Sequence, residues 1–159
     1  MNTIDKDYKG VKGWLLLLCV SMTILTPTTG FVSLMTVTDA LKPHFDNDPA
    51  LFKLVLITGI CSICLFVYSM YAGVSLWRIA PNAVKSAKRY LIVLFHYSFF
   101  SIFLPQMVGL SEKTLTDVYK TSPFLNLMVM FEAFLWYLYL RKSKRVKATY
   151  GEDVHATSA

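Results

Sequence analysis

An all-α integral membrane four-helix bundle with both termini cytoplasmic is the fold this chain predicts, on three observations. Four long apolar stretches occupy most of its 159 residues, basic residues gather at alternate ends of them, and the tryptophans mark those same ends. A composition 55% hydrophobic and only 16% charged is too apolar for a water-soluble domain of this length. The formal charge of +6 raises nucleic acid as a partner, yet the Lys and Arg residues lie within or beside apolar stretches rather than on an aromatic-interleaved polar face. They serve to orient spans, and nucleic-acid binding is set aside.

The first span covers about 14–35 and carries no charge, long enough at 1.5 Å per residue to cross a hydrocarbon core of about 30 Å. A basic start followed by an apolar run also describes a signal peptide, but this run outlasts an h-region and lacks a small-x-small cleavage site. The second span, about 54–77, follows Asp48 and Pro49, a capping residue and a proline suited to a first helical turn. Its helix is expected to begin before the bilayer does. The third span covers about 90–110. The fourth, about 123–140, is entered through Ser122 and Pro123 in the same arrangement and is short enough to need little tilt. Together these make one membrane domain over 1–150, followed by a tail at 151–159 expected to be disordered in the cytoplasm.

Orientation follows from the cations. Lys6, Lys9 and Lys12 precede span one; Arg78, Lys85, Lys88 and Arg89 fill the middle loop; Arg141, Lys142, Lys144, Arg145 and Lys147 follow span four. The other two loops hold few cations, diluted by acids, so the positive-inside rule places both termini and the middle loop in the cytoplasm. Trp14, Trp77 and Trp136, with Tyr90, Tyr137 and Tyr139 beside them, read as the interfacial belt on that side. The run 141–147 is expected to continue the fourth helix into the headgroups and to dock on anionic lipid or a partner.

Two segments resemble a known family. Tyr8-Lys9-Gly10-Val11-Lys12-Gly13-Trp14-Leu15, with Pro27 later in the span, resembles the opening of the small bacterial inner-membrane proteins grouped as domain of unknown function family 2569. Ser143-Lys144-Arg145-Val146-Lys147-Ala148-Thr149-Tyr150 is similar to that family's basic juxtamembrane signature, and the spans between agree in number and order. Lys12 stands where the pattern has glycine and Tyr150 where it has phenylalanine. The resemblance implies an inner-membrane location and four helices; it carries over no activity and no catalytic residue.

Ionisable groups inside spans are functional candidates because a lone charge in hydrocarbon costs at least a few kcal/mol. Glu132 is the acid within span four, and His96 lies in span three at a similar depth, about 12 and 9 Å from the basic side. The two could meet across antiparallel neighbours, with Ser69, Ser98 or Tyr97 as further hydrogen-bonding partners, forming either a proton site or a buried interhelical bond. Gln106 and Asn126 form a second polar layer nearer the far side. Thr26, Thr28 and Thr29 around Pro27 predict a kink, and Pro105 predicts another; both kinks would border a cavity with those amides. Cys61 and Cys64 have redox or metal spacing, but without further thiolate or imidazole ligands nearby they read as small apolar residues on one helix face. The loop His44 to Asp48 lacks the glycine turn and distal glutamate of a calcium loop.

These readings predict no enzyme, metal or cofactor. They predict a binding role, as an accessory or assembly subunit of a larger membrane complex, with a membrane-protein partner or a second copy. The alternative is a small proton-linked transporter or channel using Glu132 and His96; a membrane thiol oxidoreductase ranks below both.

Overall fold

The computed structural model describes residues 10–42, 45, 49–110 and 122–151, and these are helical nearly throughout. The order is α1 (Trp14–Val20), a π-turn (Ser21–Leu25), α2 (Thr26–Leu41), α3 (Pro49–Trp77), α4 (Ala83–Val108), α5 (Ser122–Lys142) and α6 (Lys144–Tyr150). Among the described residues, four helices are long and apolar enough to cross a membrane: Trp14–Asp39, which includes the π-turn, then Pro49–Trp77, Ala83–Val108 and Pro123–Lys142. The protein is a multi-pass membrane protein.

Helix ends overrun the apolar stretches. The third helix starts at Ala83 rather than near residue 90, because Val84, Ala87 and Leu91 continue one buried stripe through the basic segment. Pro49 does open α3, whose 29 residues span about 43 Å, more than a hydrocarbon core. The helix therefore projects beyond the bilayer or crosses it tilted.

Packing is sequential. The first span lies on α3, α3 on α4, and α4 on α5, with no comparably broad contact between the first and last spans. The main core gathers at the end where α1 starts, α3 ends, α4 starts and α5 ends: Leu15, Leu18, Leu76, Val84, Leu140 and Val146 are all fully buried there. A small second cluster of Leu51, Leu54 and Leu110 occupies the opposite end.

The chain turns between α3 and α4 in five residues. Ala80 N–H donates to Ser75 O (3.0 Å) and Ile79 N–H to Leu76 O (3.2 Å), the paired bonds of a Schellman motif. Ile79 occupies its left-handed position at φ 50°, where a β-branched side chain is strained and glycine or asparagine is usual. The far end of α4 stops by the same motif, with Gly109 at φ 78° and Leu110 N–H reaching back to Pro105 O at 3.3 Å.

The basic tail does not prolong the fourth helix. Ser143 has extended backbone (φ −66°, ψ 123°), which ends α5, and its side chain accepts from Val146 N–H to start α6. The new helix folds back so that Val146 and Tyr150 enter the main core. Only Gly151 of the expected disordered tail lies within the described residues.

Candidate functional site

The π-turn of the first span is the centre of a polar junction joining three helices. Pro27 has no N–H for the carbonyl four residues back, and the chain absorbs this by widening the preceding turn, where Thr26 N–H donates to Ser21 O. Thr23 Oγ1 donates to Cys19 O at 2.6 Å, and Thr29 Oγ1 donates to Leu25 O at the same distance. The irregularity expected around Pro27 is thus present, but it takes the form of a π-turn mostly ahead of the proline.

Into that turn comes α3. Ser69, fully buried, donates to Met22 O at 2.7 Å, and Tyr90 of α4 is buried in the same region. One turn along, Gly73 lets the backbones approach: a Cβ there would stand 2.5 Å from Thr23 Cγ2 and 3.1 Å from Thr23 N. Tyr68 packs edge-on against Tyr90, their ring centroids 5.7 Å apart. Tyr90 therefore belongs to the core rather than to an interfacial belt; it is 2% exposed.

A second set of contacts joins the two termini. Tyr150 donates to Leu76 O at 2.6 Å, and Gly10 N–H donates to Thr149 Oγ1 at 3.1 Å. The Leu76 carbonyl also takes Ile79 N–H, so the tyrosine hydroxyl completes the acceptor of the strained turn. Burial, with the Cys19 thiol and the Tyr139 phenol nearby, pushes the Tyr150 hydroxyl above the usual phenol range.

The residues expected to carry function lie elsewhere. Glu132 and His96 are both exposed, and they do not pair with each other. Trp136 Nε1 donates to Glu132 Oε1 (3.2 Å) one turn along α5, and His96 Nδ1–H donates to Ile92 O (2.8 Å) within α4. His96 fails to meet Glu132 because it sits on the outward stripe of α4, in line with Ile92, Phe99 and Phe103. The hydroxyls offered as their partners are used otherwise: Ser69 as above, and Tyr97 by Thr58 O (3.3 Å) and Ser62 (3.2 Å) across α3 and α4. Gln106 is exposed and Asn126 half-buried, and neither amide hydrogen-bonds a described residue. Pro105 is buried at the Schellman end of α4. Of the basic tail, Arg141, Lys142, Lys144 and Lys147 are exposed and Arg145 is half-buried.

Cys61 and Cys64 are free and exposed, and no group of three or more His, Cys, Asp or Glu residues among the described ones could hold a metal. The loop around His44 and Asp48 lies outside the described residues. Sequence reasoning offered Ser69 only as a partner for Glu132 and His96, and passed over Gly73 and Thr23. A serine four residues before a glycine in an apolar helix, opposite a Thr-rich proline segment, was the available signal for close helix approach.

No characterised protein and no solved structure matches the chain. A family model described as protein of unknown function (DUF2569) matches residues 8–151, a stretch that begins just before the Gly10 contact and ends just after Tyr150. The region matched by the family therefore coincides with the region these terminal contacts close, and the chain belongs to the DUF2569 family.

Proposed function

We propose that the protein acts by binding inside a bacterial inner membrane, as a non-catalytic accessory or assembly subunit of a larger membrane complex, with both chain ends on the cytoplasmic side. The orientation is supported by Gly10, the α3–α4 turn and α6 meeting at one end, which collects the basic segments there.

One observation carries the binding role. Glu132 stands exposed among Phe131, Phe134 and Leu135, and its hydrogen-bond partner among the described residues is the Trp136 indole of its own helix. Ionisable residues in membrane spans face a bundle interior or a water-filled cavity. Among the described residues the chain supplies neither, and a neighbouring membrane protein is the surface that would cover it. The sequential packing of the spans leaves both flanks of the molecule available for that contact.

Affinity purification in mild detergent, followed by mass spectrometry, tests the reading on the wild type, Glu132→Gln and Glu132→Leu. A stoichiometric membrane partner retained by Glu132→Gln and lost from Glu132→Leu is expected, since an amide keeps the hydrogen bond and leucine does not. A partner-free homo-oligomer whose proton-coupled flux disappears in Glu132→Gln would replace the assembly role with transport.

A further inference from the structure

The end of the molecule where α6 docks gathers cations from separate elements. Half-buried Lys88 follows Ala87 in the second turn of α4, Arg141 follows Leu140 at the end of α5, and Lys147 follows Val146 in the last turn of α6; Ala87, Leu140 and Val146 share one buried core, which brings the two other cations within electrostatic reach of Lys88. Docking α6 through Val146 and Tyr150 is what brings Lys147 toward Lys88, so the fold assembles like charges that repel one another.

Among the described residues, neutralising groups are scarce there. Asp39 and Glu132 are the acids among the described residues: Asp39 lies at the far end of the first span, and Glu132 is about 13 Å along α5 from Arg141. Trp136 and Tyr139 lie on the last turns of α5 beside Arg141, the residue types that sit at headgroup level. A phosphate oxyanion at this level would take a forked pair of hydrogen bonds from the guanidinium and point-charge contacts from the two ammonium groups.

We propose that Lys88, Arg141 and Lys147 form a discrete site for the phosphate of an anionic phospholipid headgroup, and that the bound headgroup braces α6 against α4 and α5. This differs from diffuse attraction of a basic tail to a membrane, in which every exposed cation counts alike. It requires no protein partner, so its failure leaves the assembly role untouched.

The full chain purified in an uncharged detergent is titrated with phosphatidylglycerol, phosphatidylcholine or sodium phosphate while thermal unfolding is followed. Saturable stabilisation by phosphatidylglycerol is expected, with apparent affinity weakened about tenfold in Lys88→Gln and in Lys147→Gln. Lys144→Gln, which removes the same charge from the exposed start of α6, should stay within about twofold, and Lys88→Arg should restore binding. A response to phosphatidylglycerol alone identifies a lipid; an equal response to sodium phosphate identifies a free anion in the same site. Equal losses in all three Gln variants, an equal response to phosphatidylcholine, or no saturation would overturn the proposal. Unfolding of each variant without additive shows that it folds.

Discussion

The two ends of this molecule are built differently. At the end holding the termini, the π-turn, Ser69, Tyr90, Leu76 and Tyr150 tie elements from one edge of the helix array to the other, and the largest fully buried side chains lie there almost without exception. Among the described residues of the opposite end the second cluster is smaller, and the first buried residue of α5 is Ala133, more than halfway along the helix. In a bilayer, lipid tails are as apolar as the helices, so association depends on close packing and hydrogen bonds rather than on hydrophobicity. Among the described residues, one end has both, and the other has the smaller buried cluster.

The contrast breaks most severely at Tyr150. Tyr150→Ala removes a buried ring and its hydrogen bond and should lower stability by about 3–5 kcal/mol, as read by thermal unfolding in detergent. Phe124→Ala, at the exposed start of α5, should cost under about 1 kcal/mol. Comparable losses would mean that the two ends are equally packed.

Two glycines sharpen the same comparison. At Gly73 an added methyl group meets Thr23 backbone, so Gly73→Ala should destabilise by about 1–3 kcal/mol. Gly30 faces the ring of Phe66, which can swing aside, and the helix propensity of alanine offsets the shift. Gly30→Ala should therefore change the melting temperature little.

Strain at the clasped end gives a gain instead. Ile79→Asn puts a residue tolerant of positive φ into the left-handed position and should stabilise by about 1 kcal/mol. An unchanged or lower melting temperature would count against a strained turn.

The smallest effect is one of pH. The raised folded-state value of Tyr150 favours the neutral phenol in the fold, so its contribution is fully present below an unfolded value of about 10. It is lost as pH rises from there toward the higher folded value. Stability measured between pH 6 and 9 should show no slope from this group, and the alkaline loss should vanish in Tyr150→Phe.

Span number, order and helical character were legible because hydropathy and helix period are local properties of the chain. The return of α6 was not: Ser143 to Lys147 reads as a basic continuation, and only the burial of Val146 and Tyr150 against residues far away in sequence explains the break. The pairing of Glu132 with His96 failed for a related reason. Depth along an axis can be counted from sequence, but the face each helix turns to its neighbours depends on which spans touch. Ser69 and Gly73 illustrate the converse: their spacing is visible in their own helix, but its importance depends on a π-turn forming opposite them.

Backbone amide exchange of the full chain in lipid nanodiscs tests the central claim most directly. If α6 is clasped between the N-terminal segment and the α3–α4 turn, the amides of 148–150 should exchange orders of magnitude more slowly than those of an unfolded peptide, and Tyr150→Ala should release them. Exchange at the free-peptide rate in the wild type would show a tail that merely lies on the membrane, and the account of the clasped end would fall.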